Sequence, residues 1–324
     1  MRLQYIIGKL IEIVIIFFII LTVLFFLFRL SPGDPISKVV DPMLTPEDMK
    51  HMISQMGLDK PIWEQYVIYL KNFVTGSFGV SFHYGEPVSQ IIKDRLGWTI
   101  LLFTTSTILA ALAGVFLGKV AAWNKGSRLD NVMSISALVC YTLFIPWFAL
   151  LLLWVMGFKF GFFPLGGVLS PELWVGNSSS AMAKILDLIH HMVLPLMTLF
   201  IINLGSYLLL MRSSMLSVLR EDYIITARAK GLSEKVIRDK HAAKNAALPV
   251  ITSVGLSLAF SINGGALTEQ IFTWPGIGRE LIFAVSNNDY PLAQACFLLI
   301  ALVVLVANLV VDLLYAWLDP RITY

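Results

Sequence analysis

Long apolar runs separated by short polar stretches dominate the chain. A helix needs about 20 mostly apolar residues to cross the hydrocarbon layer of a bilayer. Six stretches reach that length, at about 11–30, 98–122, 131–157, 188–212, 250–271 and 291–317. The first is read as a retained anchor. Its apolar run from Ile13 to Phe28 is long for a cleavable leader, and Arg29-Leu30-Ser31-Pro32 offers no small-residue cleavage site. Segment 31–97 is more polar. In it Thr45-Pro46-Glu47-Asp48 predicts a helix start with a cap, a proline at the first helical position and acidic first-turn residues, and Gly57 marks a stop. A second helix is expected after Pro61, with Ile62, Tyr66, Tyr69, Leu70 and Phe73 on one stripe. Its Trp63, Tyr66 and Tyr69 suit a membrane–water boundary, which makes it a surface helix with no ligand to bind. The expected fold is an all-α integral membrane protein with six transmembrane helices in one domain over 1–324.

Composition supports this pattern. Of 324 residues, 57% are hydrophobic and only 14% charged, where a soluble domain carries roughly 25% charge. Mean hydropathy is +0.77. A single soluble core, a disordered chain and a disulfide scaffold are all excluded. The two cysteines, Cys140 and Cys296, sit inside apolar runs and behave as small hydrophobes. The net charge of +3 is too small to suggest nucleic acid.

The distribution of charge orients the spans. The N-terminus, the loops after the second and fourth spans and the C-terminus together hold fourteen Lys and Arg. The short loops on the other side hold three, Lys159, Lys184 and Arg279. Positive residues stay on the cytoplasmic side, so both termini are expected there and segment 31–97 outside.

Chemistry is sparse in the spans. Glu12, Arg29, Lys119, Arg212, Glu269 and Asp312 all fall near span ends, and no chain of carboxylates or histidines crosses the midplane. That weakens an ion-coupled secondary transporter, the alternative function, although backbone carbonyls can also bind ions. Gly118-Lys119 is followed by Val120, and residue 113 is alanine, so a phosphate loop is absent. His190 and His191 are adjacent and point about 100° apart on a helix, which makes capping or interfacial roles better than a metal pair. The chain is not expected to be an enzyme, nor to bind a metal or cofactor itself. Ala110, Gly114, Gly118 and Ala122 recur every four residues and mark a close helix contact without saying whose helix answers it. Pro146 and Pro195 predict kinks.

Residues 213–249 are the most informative stretch. Asp222 is expected to cap a short helix that Gly231 ends in a left-handed conformation. Ser233 is expected to cap a second helix, with Glu234 at its positive end and Leu232 stapled on Ile237. This helix is expected to run toward Asn245 and to stop before Leu248-Pro249. Two readings fit: a surface built to dock on another protein, with small Ala227 and Ala229 between Arg228 and Lys230, or a basic loop lying on anionic lipid.

The stretch resembles the "EAA" loop of binding-protein-dependent ABC importers, in the version of the dipeptide/oligopeptide/nickel permease family. The resemblance rests on Asp222-Tyr223, on Thr226-Ala227-Arg228-Ala229-Lys230-Gly231-Leu232-Ser233, and on His241-Ala242, Asn245-Ala246 and Leu248-Pro249. It extends to Leu30-Ser31-Pro32-Gly33-Asp34-Pro35, Gly57-Leu58-Asp59-Lys60-Pro61, Gln65-Tyr66, Gly79-Val80-Ser81, Trp274-Pro275-Gly276-Ile277-Gly278, Asp289-Tyr290-Pro291 and Asp319-Pro320-Arg321. The order fits the B-type subunit, whose first span precedes a long external segment. The Glu-Ala-Ala that names the loop is Ile225-Thr226-Ala227 here, so its glutamate is missing.

The resemblance implies a type I importer permease in a prokaryotic cell membrane. Its partners would be a homologous second permease subunit, two cytoplasmic ATPase subunits carrying ATP and Mg, and an extracytoplasmic solute-binding protein. The ATPase-coupling residues would be Asp222, Tyr223, Thr226, Ala227, Arg228, Ala229, Lys230, Gly231 and Ser233. On the residues themselves, the fifth span turns polar toward its outer end. This makes Asn263, Thr268 and Glu269 candidates for the substrate pathway, or for helix–helix hydrogen bonding. Trp274-Pro275-Gly276-Ile277 suits a type II turn that shapes an outer gate or simply joins two spans.

Overall fold

The computed structural model describes residues 3–29, 60–174, 180–260 and 265–318. Those residues form helices, joined by short turns and one isolated bridge between Val80 and Pro87. The predicted start at Thr45, the stop at Gly57, Asn263 and the C-terminal Asp319-Pro320-Arg321 lie outside the described residues.

The chain divides into two compact units, residues 1–99, 262–266 and 275–324 in the first, 100–261 and 267–274 in the second. In the first unit, α1 (Leu3–Arg29), α2 (Ile62–Val74), the first turns of α3 (Val88–Trp123), α12 (Ile277–Ser286) and α13 (Tyr290–Leu318) share one core. Leu21, Leu24 and Phe28 of α1 meet Val88, Ile91, Leu292, Ala293 and Cys296 there. The predicted stripe of α2 divides. Tyr69, Leu70 and Phe73 pack on the core, and Tyr66 stacks on Phe26 and shares a 2.7 Å hydrogen bond with Thr22 Oγ1. Ile62 and Trp63 stay exposed.

Motif fragments distant in the sequence meet in this unit. Buried Asp289 accepts from the Ser81 hydroxyl and the His83 amide, and also from the amide of Leu292 at the start of α13. Glu280 takes Arg95 Nε at 3.1 Å and the Tyr84 hydroxyl at 3.0 Å. Burial, with Glu280 beside it, pushes the Tyr84 phenol up to about 12. The hydrogen bonds satisfy Asp289 and the Tyr84 hydroxyl, and the Arg95 charge offsets that of buried Glu280, which would be costly to bury alone.

In the second unit, the rest of α3 packs on α7 (Ala181–Val218), as do α4 (Arg128–Thr142) and α10 (Ala243–Phe260). The small-residue stripe of α3 finds its partner within the same chain. A Cβ on Gly114 would stand 2.6 Å from Tyr207 Cβ, and one on Gly118 2.6 Å from the Leu208 carbonyl oxygen, both on α7. On another side of α7, a Cβ on Gly205 would lie 2.4 Å from the Ala137 carbonyl of α4. Asp130, buried near the start of α4, holds Arg212 of α7 through bonds of 2.6 and 2.8 Å.

Four helices, α1, α3, α7 and α13, are long and apolar enough to cross a membrane, and a bent pair makes a fifth candidate among the described residues. That pair covers the third span expected over 131–157, with a bend far sharper than the kink expected at Pro146. α4 ends at Thr142, Leu143 and Phe144 are extended, and α5 (Ile145–Leu152) leaves at 100° before a wider π turn over Leu153–Lys159. Pro146 therefore sits in the first turn of a new helix, where its missing N–H costs nothing, and does not kink an old one. Pro195, by contrast, lies inside the continuous α7.

The fifth expected span, 250–271, is also divided. α10 begins earlier, at Ala243, and carries Pro249 in its interior, so the expected stop before Leu248-Pro249 is absent. Ala242, Ala246 and Val250 are buried at four-residue spacing, and that packed stripe carries the helix past the proline. A short α11 (Ala266–Ile271) follows. Gly276 is extended, with φ −99°, and precedes α12 as its cap, so the type II turn expected at Trp274-Pro275-Gly276-Ile277 does not form. The remaining short helices are α6 (Pro171–Trp174), α8 (Asp222–Ala229) and α9 (Glu234–Val236), the last passing into a π turn over Ile237–Ala242.

Candidate functional site

The basic stretch 213–249 is a packed structure and not an open loop. Met211 and Met215 at the end of α7 make a common core with Ile224 and Ala227 of α8, Ile237 and Ala242 of the π turn, and Ala246 and Val250 of α10. Ile224 and Ala227 lie three apart and so share one face of α8. Burying them turns the remaining faces outward.

The turn after α8 is a Schellman motif. The Gly231 amide donates to the Arg228 carbonyl at 2.9 Å and the Leu232 amide to the Ala227 carbonyl at 3.3 Å. Gly231 has φ +76°, as its place in the sequence predicts, and open space where a Cβ would stand. The requirement for glycine is thus one of backbone conformation and not of room. Ser233 starts α9 through its carbonyl, which accepts from Val236 and Ile237 at 2.9 and 3.0 Å, while its hydroxyl makes no capping bond. Asp222 is likewise not the cap expected of it. Glu221 occupies that position, again without a side-chain bond, and Asp222 is the first helical residue, where its charge suits the positive end of the helix. Leu232 is 39% exposed while Ile237 is fully buried.

The expected coupling residues therefore fall into two sets. Ala227 is only 6% exposed and belongs to the chain's own core. Asp222, Tyr223, Thr226, Arg228, Ala229, Lys230, Gly231 and Ser233 are exposed around the α8–α9 turn. Tyr223 is fixed by Asn245 Nδ2, which donates to its hydroxyl at 2.8 Å, and Arg228 reaches Glu234 at 3.3 Å. The Thr226 hydroxyl donates back to the Asp222 carbonyl at 3.0 Å.

Residue reading missed Ile225 and Leu232. Ile225 occupies the place of the named glutamate and is 58% exposed, so an apolar side chain stands in water where the loop's defining charge would be. Its position one residue, or about 100°, beyond the buried Ile224 was the available signal. Tyr223, Ile225 and Leu232 leave apolar side chains exposed around the turn, in the same short stretch as the cations Arg228 and Lys230.

A second electrostatic feature ties this turn region to α3. Asp239 Oδ1 accepts from Lys119 Nζ and from Arg238 Nε, both at 3.0 Å, and Arg238 Nη2 reaches Oδ2 at 2.9 Å. Arg238 first, and then Lys119, hold this carboxyl well below the usual range. The Arg238 guanidinium also lies over the Trp123 ring at 6.0 Å.

Of the candidate pathway residues, Thr268 and Glu269 lie among the described residues, and both are enclosed. Thr268 and Glu269 are 2% and 0% exposed, on the side of α11 enclosed by the chain, while Leu267 carries the outward face. Neither offers surface to a passing solute in the single chain. His190 and His191 bond separate backbone carbonyls, of Phe162 at 2.8 Å and Asp187 at 2.9 Å.

Residues 112–324 match the family model described as binding-protein-dependent transport system inner membrane component. Residues 2–103 match the model of the corresponding N-terminal region. The chain is 38% identical to the oligopeptide transport system permease protein AppB of Bacillus subtilis, over 93% of each chain. It is 36% identical to the dipeptide transport system permease protein DppB of Escherichia coli K12, over 99% of each. DppB of Alkalihalophilus pseudofirmus is 37% identical over 93% of this chain and 94% of its own.

Proposed function

Because the chain belongs to the family of binding-protein-dependent transport system inner membrane components, we propose that it forms half of a peptide-conducting pathway in the cell membrane. The relatives' names give the substrate class. Six spans are proposed from α1, α3, the bent pair α4–α5, α7, α10 with α11, and α13, in the type I importer arrangement with both termini cytoplasmic. A homologous second permease completes the pathway. Two ATPase subunits supply ATP hydrolysis with Mg, and an extracytoplasmic binding protein delivers the peptide.

The observation that carries the coupling role is the exposed turn between α8 and α9. A helix of fixed direction, ended by Gly231, presents Tyr223, Ile225 and Leu232 beside two cations, while its other face is anchored on α7. Apolar side chains ringed by charge are the composition of a protein contact. Because Ile224 and Ala227 join α8 to the core at the end of α7, motion of a bound ATPase would be transmitted as motion of a long helix. Asn263 remains the proposed pathway residue. Thr268 and Glu269 are buried, so a lining role for them requires rearrangement in the full assembly.

The test is affinity purification from the native membrane in mild detergent, followed by peptide uptake after reconstitution. Wild type is expected to bring down a second permease and ATPases, and to take up labelled dipeptide only with ATP and binding protein. Ile225→Lys should lose the ATPases and keep the second permease. A chain that purifies alone and accumulates peptide under an ion gradient without ATP would establish the ion-coupled transporter instead.

A further inference from the structure

The first unit contains a cavity of about 210 Å³ that the transport reading does not use. Arg29 at the end of α1, Tyr69 of α2 and Gln294 of α13 all line it. Each carries a buried polar atom with no hydrogen-bond partner among the described residues: Arg29 Nε, the Tyr69 hydroxyl and Gln294 Nε2. Gln294 is only 7% exposed as a whole residue. Native structures leave few such atoms unpaired, so three in the wall of one cavity call for a common cause.

All three atoms can donate a hydrogen bond, and one belongs to a permanent cation. Arg29 is the one charged residue among the described lining residues, and no described carboxylate joins it there. Its contact with the Phe25 ring, at 5.4 Å, supports the cation without neutralising it. Water could satisfy the donors, since the cavity has room for about seven molecules at liquid density. It would still leave the guanidinium without a counter-charge at the edge of the hydrocarbon layer. Asn72 and Ser77 add polar lining, and Phe73, Phe78 and Leu298 add an apolar side. An oxyanion attached to an apolar body matches that mixture.

We propose that this cavity binds a phosphate group at the membrane boundary, held by Arg29, Tyr69 and Gln294. Its place favours a phospholipid headgroup as the source. Arg29 ends a helix whose Val14, Ile15, Phe18 and Ile19 are exposed in the single chain, an apolar surface suited to lipid. Arginine also pairs with phosphate through several parallel N–H donors. Bound there, the lipid would pin the outer end of α1 to α2 and α13.

The full chain, purified with its copurifying partners, would be stripped of bulk lipid in detergent and given phosphatidylglycerol. Native mass spectrometry then counts lipids retained per chain. One tightly held lipid is expected. Arg29→Gln should weaken retention roughly tenfold, the effect of losing one charged hydrogen-bonding partner. Gln294→Leu should weaken it less, and the near-isosteric Gln294→Glu should expel the lipid by repulsion with the fold's size unchanged. In a second arm, stripped protein is mixed with inorganic phosphate and line broadening is read by phosphorus NMR. Broadening that Arg29→Gln removes, without lipid retention, would keep the phosphate site and assign its source to solution. Lipid retention indifferent to all three variants, with no Arg29-dependent broadening, would overturn the proposal. Neither arm depends on peptide transport or on the ATPases.

Discussion

Gly231 is the residue at which a single side chain is expected to change most. Its φ of +76° is strained for any residue with a Cβ, and nothing within 4 Å crowds the position. Gly231→Val therefore tests the backbone alone, at a local cost of about 1–2 kcal/mol. The expected outcome is normal membrane insertion with lost ATP-dependent uptake, and substantial uptake with Gly231→Asn, since asparagine tolerates the left-handed region. Uptake by both variants equal to wild type would show that the turn's direction does not matter. Asp239 gives the pH dependence of the same region. Its carboxyl is depressed in the folded chain by Arg238 and then Lys119. Its stabilising contribution is thus fully present above the ordinary carboxylate value of about 4 and is lost as pH falls through the lower folded value. Amide exchange in residues 234–242 should be flat between pH 5 and 8 once corrected for intrinsic rates, and faster below about pH 4. Asp239→Asn should raise exchange at neutral pH and remove the acid step.

At the scale of elements, close contact between helices depends on a few missing side chains. A Cβ on Gly205 meets the backbone of α4 at 2.4 Å, and backbone cannot swing aside as a flexible side chain can. Gly205→Ala is expected to destabilise by about 1–3 kcal/mol, as overpacking does. Gly255→Ala, on α10 with nothing within 4 Å, should be neutral or stabilising by up to about 1 kcal/mol. Thermal unfolding in detergent distinguishes them, and equal melting temperatures would contradict the packing described for α4 and α7. The stripe of Ala110, Gly114, Gly118 and Ala122 was legible as a helix contact. Its partner was not, because the spacing of one helix carries no information on which other helix answers it.

For the molecule as a whole, the number and direction of the membrane crossings are what matters most. The proposed orientation places Ser233 in the cytoplasm and Lys71 outside, and both residues are exposed. In cells, an impermeant thiol reagent should label Lys71→Cys from outside and reach Ser233→Cys only after the membrane is opened. The two native cysteines, Cys140 half-buried and Cys296 buried, leave a low background. Reversed labelling would invert the orientation read from Lys and Arg and remove the ATPase-facing role of α8.

Membrane residence and all-helical character followed from the sequence alone, because apolar runs of bilayer length have no other stable use and spanning segments must satisfy their backbone internally. The left-handed turn at Gly231 followed too, since its cause is local: one residue lacking a Cβ at a helix end. Tertiary structure decided everything that depends on which surfaces meet. It broke the third span at Leu143 and Phe144, carried α10 through Pro249 on a buried stripe, and withdrew Ala227, Thr268 and Glu269 from the surface. It also left Ile225 and Leu232 facing outward and gathered Arg29, Tyr69 and Gln294 around one cavity. Hydropathy ranks residues by what they would prefer. Burial is shared out among competing faces, and that sharing exists only once the chain has folded.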